Sequence, residues 1–280
     1  MISGYFLMGR EGWYRDRIFH ILKKMVIIWG ITNIVYYSFI QFIFTEYDSI
    51  HNLQTFIQTL GIEFIFGGEF CGPLWYITAY IWALIIIYIF NIKRNRNTFL
   101  LVAFLLLVNV LLGSYSFILP FEVKHLYFSN NFLTSALPFV LLGGFLKQSI
   151  EKIQYSRWIW FLLVVLCYIE LGFLYIVDSR NGDVFLMTPV LCILIFSWFV
   201  NHPNYGQNTY LRTIGKKYSL YIYLLHTLVI WLTNEFCKQT NINFRNLEFL
   251  IVLPITILIS IIIYHIINLC VSYNKPKYSR

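Results

Sequence analysis

Long apolar runs separated by short polar connections make up most of the chain, and eight of them approach the roughly 20 residues that cross a hydrocarbon core. They fall at about 21–44, 74–90, 98–119, 132–146, 158–177, 184–200, 218–233 and 247–270. The fourth and seventh are short, and they cross only with little tilt or with flanking side chains that reach the interface. The pattern predicts an all-α fold, a polytopic membrane helix bundle of about eight transmembrane helices forming one integral domain over residues 1–280. The Met1–Leu7 stub runs straight into charge and has no small-residue cleavage site, so it does not read as a signal peptide.

The connections set the expected sidedness. Seventeen of the 21 Lys and Arg lie on alternate connections, from the Arg10 to Lys24 group to the group after Asn274. The other connections hold only Lys124, Arg180, Lys238 and Arg245. The positive-inside rule then puts both termini in the cytoplasm, which agrees with an even number of crossings. Most acids, Glu63 and Glu69 among them, fall on the outer connections. Glu170 is inside a span, in its outer part, where it either reaches the interface or is buried with a role.

The longest connection, residues 45–73, is not of low complexity. Leu53, Phe56, Ile57, Leu60 and Phe64 recur at spacings of three and four, which predicts an amphipathic helix lying on the outer surface. Gly67-Gly68 and Gly72-Pro73 then mark turns.

Composition supports a membrane protein: 59% of residues are hydrophobic, 12% charged and 20% aromatic, against about 25% charged in a soluble domain. The net charge of +8 is scattered in short groups, so no basic face exists to follow a phosphate backbone, and nucleic acid is excluded as a partner. Five cysteines show no CxxC pair and no zinc-like spacing with histidine, so no metal site is readable. Cys71 and Cys237 both fall in outer segments, where a disulfide between them is an option. Pro138, Pro189 and Pro254 are expected to kink helices, and Asn130 and Asn131 to cap the fourth.

One imidazole is costly. His226 follows the Arg212 to Lys217 basic group by about nine residues, roughly 13 Å into a span, and an ionisable group at that depth marks a functional site. The alternative is a neutral ring hydrogen-bonded for structure alone. Ser219 and Tyr223 share its helical face and extend a polar path.

Four stretches together resemble the bacterial membrane acyltransferase-3 family, integral membrane O-acetyltransferases of cell-surface glycans. Ile2-Ser3-Gly4-Tyr5-Phe6-Leu7, followed by Arg15 and Arg17, is similar to the end of a family helix and its basic continuation. Leu74-Trp75-Tyr76-Ile77 after Gly72-Pro73 resembles the family's LWYL helix start. Asn131-Phe132-Leu133 with Leu137-Pro138-Phe139 and Leu142-Gly143 resembles its NFL and LPF segment, with Asn130 where Arg is common. Tyr218-Ser219-Leu220-Tyr221 to His226 resembles its IYLLH stretch. Family members normally have ten spans, and the ISGYFL stretch belongs near the end of the second. The resemblance thus implies that the first helix, with the family's catalytic-base histidine, lies upstream of this sequence, and that these 280 residues are inactive alone.

The resemblance also implies acetyl-CoA as a cytoplasmic donor substrate, no bound cofactor, and a surface glycan or lipid-linked sugar as acceptor, in a bacterial plasma membrane. Arg15 and Arg17 would then hold the donor phosphates, since arginine binds phosphate bidentately, or else simply anchor the chain to anionic lipid. His226 would orient the acceptor hydroxyl or act as a secondary acid or base, with Ser219 and Tyr223 beside it. Trp75 and Tyr76 would stack on sugar, unless they serve only as an aromatic belt, and Glu69 would bind acceptor hydroxyls, unless it is a solvated loop acid. Two other classes compete: a polysaccharide or small-molecule transporter, and a non-catalytic glycan-binding component of the membrane.

Overall fold

The computed structural model describes residues 1–9, 12–43, 53–120, 130–149, 156–177, 184–240 and 248–273. Arg10, Lys124, Lys152, Arg180, Arg245 and residues 274–280, used above for sidedness, lie outside them, as do Glu46, Asp48, Glu122, Asp178 and Asp183. Eleven α-helices are described: α1 (Ile2–Leu7), α2 (Arg15–Ile43), α3 (Leu53–Ile65), α4 (Trp75–Phe90), α5 (Arg96–Leu112), α6 (Leu137–Ser149), α7 (Arg157–Ile176), α8 (Thr188–Asn201), α9 (Tyr210–Lys217), α10 (Ser219–Thr240) and α11 (Glu248–Tyr273). No strand occurs among the described residues beyond an isolated bridge between Met8 and Trp13.

The protein is a polytopic helical membrane protein. Five stretches are long and apolar enough to cross a bilayer: Arg15–Phe39, Gly72–Phe90, Trp158–Ile176, Ser219–Thr240 and Phe249–Leu269. Three shorter apolar helices, Arg96–Leu112, Phe132–Lys147 and Thr188–Asn201, complete the eight runs read from the sequence. The seventh run is longer than expected, because its helix continues to Thr240 through the polar residues after Leu232. The third is shorter, because α5 stops at Gly113 and the chain passes into a 3₁₀ turn at Ser116–Ile118.

Local chemistry fixes the helix starts. The Asn95 side chain accepts the Thr98 N–H at 2.8 Å and caps α5. Asn131 Oδ1 accepts the N–H groups of Leu133 and Thr134 at 2.8 and 2.9 Å, opening a π-helical turn at Phe132–Ala136 that leads into α6. Pro189 sits in the first turn of α8, where a missing N–H costs little, so it begins a helix instead of kinking one; Pro138 follows the π-helical turn directly and lies inside the continuous helix Phe132–Lys147. Pro254 also lies inside a helix.

The chain packs as two units, residues 1–203 and 204–280. The core of the first gathers Leu7 and Met8 from around α1, Ile18 of α2, Ala83, Leu84 and Ile87 of α4, Val102 and Leu105 of α5, and Val140 and Leu141 of α6. Helix α4 is apolar nearly all round, so it is covered on most sides. At the periphery the usual burial rule inverts: Trp158, Tyr168 and Ile176 of α7 are 79%, 73% and 82% exposed, as side chains that face lipid must be. In the second unit, α10 and α11 pack antiparallel, with Tyr264 edge-on to Tyr218 at 5.1 Å. Thr256 and Ser260 of α11 donate their hydroxyls back to the carbonyls of Val252 and Thr256, which satisfies polar groups inside an apolar helix.

Candidate functional site

Two polar regions lie at opposite ends of α4. At one end, the turn between α1 and α2 is held by backbone: Tyr14 N–H donates to the Leu7 carbonyl at 2.9 Å, and Trp13 Nε1–H to the Ile92 carbonyl at 2.7 Å. This presents Arg15 and Arg17 in the first turn of α2. The Arg15 guanidinium lies 4.6 Å from the centre of the Tyr88 ring, and that of Arg17 lies 4.7 Å from the centre of the Tyr14 ring. Lys147 Nζ joins them, donating to the Met8 carbonyl and standing 5.7 Å from the rings of both Tyr5 and Tyr14. Aromatic faces hold cations without neutralising them, so the cluster keeps its positive charge. Lys147 is distant in sequence, and its place here follows from α1 packing on α6.

At the other end, thirteen residues and about 20 Å along the α4 axis from Tyr88, a cavity of about 250 Å³ opens before Trp75. Phe66, Gly67, Gly68, Glu69, Gly72, Trp75 and Asn130 line it. Glu69 and Trp75 are thus brought to one cavity. Tyr76 is not in its lining; its ring stacks on Tyr80 at 6.2 Å. Gly67 has φ +75°, and a Cβ there would come 2.7 Å from Trp75 Cα, so only glycine allows the loop to lie against α4.

Glu63, assigned from the sequence to the polar outer set, is fully buried beside this cavity (0% exposed). Its Oε2 accepts the Glu69 N–H at 2.7 Å, which ties α3 to the cavity loop. Burial is the chief cause that pushes its carboxyl up to about 7; the N–H groups of Glu69 and Phe70 and the Asn33 side chain oppose it, and the Glu69 charge adds to it. Helix α3 thus carries a carboxyl on its inward side, while Phe56 packs on Tyr37 and Phe64 on Trp29 and Trp82. Ile57 and Phe64 are 59% and 51% exposed, while Glu63 points in, and the Trp82 indole donates to the Phe64 carbonyl at 2.7 Å. Glu63 is seven residues after Phe56 and three after Leu60, a helical spacing that carried the signal.

Glu170 is also buried, not interfacial: it accepts from Tyr115 Oη and from the N–H groups of Leu186 and Met187. Its role is to fasten α7 to the segments before α8 and after α5. Cys71 and Cys237 are both free thiols, and Cys71 is buried, so the disulfide allowed by the sequence is not formed.

In the second unit, Ser219, Tyr223 and His226 follow one another along one face of α10. His226 Nδ1 is 2.7 Å from the Tyr223 carbonyl, which can only accept, so Nδ1 carries a proton. The Thr227 hydroxyl is 3.4 Å from Nε2, at the long end of hydrogen-bond distance. The ring is thereby oriented with Nε2 toward the Thr227 hydroxyl.

A polytopic helical membrane protein with a cationic cluster at one end of its buried helix and a small cavity carrying a carboxyl at the other is the class these features define. The family profile of an acyltransferase domain matches residues 1–265, and the chain belongs to the acyltransferase-3 family; it is a membrane acyltransferase. No curated protein and no solved structure matches it.

Proposed function

We propose that this chain moves an acetyl group from cytoplasmic acetyl-CoA to a hydroxyl of a cell-surface or exported polysaccharide, in a bacterial plasma membrane. The observation that carries the reading is the separation of two sites along α4 in a chain of the acyltransferase-3 family: Arg15, Arg17 and Lys147 at one end, Trp75 and Glu69 at the other. An anionic donor and a neutral sugar need such different surroundings. Guanidinium groups bind phosphates bidentately, and an indole with a nearby carboxylate suits a sugar face and its hydroxyls.

In the reaction the sugar oxygen attacks the thioester carbonyl carbon, a C–O bond forms, the C–S bond breaks, and the hydroxyl proton ends on the CoA sulfur. In the family the principal base is expected to be a histidine of its first helix. His226 supplies a secondary acid or base, with Ser219 and Tyr223 along the same face.

Transfer of labelled acetate from acetyl-CoA to surface glycan, measured for this chain and for a version extended upstream by two spans, tests the reading. Transfer by the extended form alone is the expected result. Transfer by neither overturns it in favour of a transporter or a glycan-binding component.

A further inference from the structure

Helix α9 buries none of its eight residues, although its sequence is segregated into two faces. At 3.6 residues per turn Tyr210, Leu211 and Ile214 fall within an arc of about 100°, Arg212 and Lys216 lie opposite, and Lys217 borders the apolar arc. Tyr210 and Leu211 are 90% and 75% exposed, and the three cations are exposed as well. The chain carries no acid between Asp183 and Glu235, so these cations have no counter-charge nearby in sequence.

Both ends of the helix are fixed. At the start, the Thr209 hydroxyl donates to the carbonyl of Gly206, whose φ is +73°, at 2.7 Å, and Arg212 Nη1 donates to the Gln207 carbonyl at 3.1 Å. At the other end the helix breaks at Tyr218 (φ −115°, ψ −11°), which is buried and edge-on to Tyr264 at 5.1 Å. The next residue begins α10, one of the five stretches able to cross a bilayer. Connectivity therefore holds α9 at the membrane boundary, on the side that the basic connections assign to the cytoplasm.

We propose that α9 is an interfacial helix that docks on the leaflet it adjoins and binds anionic phospholipid. Tyr210, Leu211 and Ile214 enter the boundary between headgroups and acyl chains, while Arg212, Lys216 and Lys217 reach the phosphates along their flexible stems. Charge selects this occupant. A second copy of the helix would bring six cations together without an acid, whereas an anionic leaflet offers apolar depth and negative charge in one place. The inference rests on topology and charge, and it stands apart from the acetyl-transfer reading.

Hydrogen exchange of the full chain in nanodiscs holding one copy each, followed on peptides covering α9, tests it. Exchange should be about tenfold or more slower with phosphatidylglycerol as about a third of the lipid than in phosphatidylcholine alone, since each cation near an anionic leaflet contributes about fivefold. The R212Q/K216Q/K217Q variant should exchange at one rate in both lipids. Alanine favours helix more than tyrosine or leucine does, so faster exchange in Y210A/L211A would report lost docking and not lost propensity. Equal rates in the two lipids for the wild type overturn the proposal, as does slowing that the triple variant retains. Slowing confined to discs holding two copies overturns it in favour of self-association. The wild-type comparison needs no substitution, so it decides even where a variant fails to fold.

Discussion

Tyr115 and Glu170, 55 residues apart, meet through a hydrogen bond of 2.8 Å from the phenol to Oε1. The same oxygen accepts the Leu186 N–H at 2.6 Å, and Oε2 accepts the Met187 N–H at 3.0 Å. Three donors from two segments thus converge on one buried carboxylate at the end of α7. Glu170→Ala leaves them without an acceptor and should cost about 3 kcal/mol or more, while Tyr115→Phe, which removes one bond, should cost about 1 kcal/mol. Thermal unfolding of the two variants in one detergent checks the order; equal losses would mean that the backbone N–H groups find other partners.

Helix α1 touches α6 by backbone. A Cβ on Gly4 would overlap the Val140 carbonyl oxygen, and one on Gly143 would overlap the Met1 carbonyl oxygen. Gly4→Ala and Gly143→Ala should therefore push the helices apart at a cost of about 2 kcal/mol or more. Gly30 and Gly172 have nothing within 4 Å of their Cβ positions. Their alanine variants should be neutral or stabilising by up to about 1 kcal/mol. Yield of folded protein by size-exclusion chromatography separates the two pairs.

Arg15 and Arg17 are exposed and held over aromatic faces; Arg15 donates one N–H to the Tyr88 carbonyl at 3.4 Å, and the other N–H groups are there for an anion. Replacing both with Gln should raise the KM for acetyl-CoA about 10- to 100-fold at unchanged membrane insertion, the loss expected for one or two charge-assisted bonds. Unchanged donor affinity in the inserted double variant would assign these residues to lipid anchoring alone.

Stability should fall with pH through Glu63. Its folded value, about 7, lies above the ordinary 4.5, so between the two the folded chain keeps a proton that the unfolded chain has released. The contribution is fully present below about 4.5, is lost as pH rises to about 7, and is flat above that; a shift of this size is on the order of 3 kcal/mol. The melting temperature of the wild type relative to E63Q should decline across this window. A difference that does not vary with pH would show that Glu63 does not titrate there.

The eight apolar helices, the all-α class and the cap at Asn131 were legible in the sequence, because each depends on local composition: run length, periodicity and a side chain within reach of its own backbone. So were the residues of the two polar regions taken singly, Arg15, Arg17, Glu69 and Trp75 among them. What composition could not reveal is which face of a helix turns inward. In a soluble helix the apolar stripe faces the core, and on that rule α3 would hide Ile57 and expose Glu63. Here Glu63 faces in because the Glu69 amide and Asn33 offer it hydrogen-bond partners, while Ile57 is left outside. The same reversal buries Glu170. The partners of both carboxyls, and the place of Lys147 among the aromatic rings, come from residues far apart in sequence. Only the packing of α1 on α6, of α2 and α3 on α4, and of the segments around α7 brings them together.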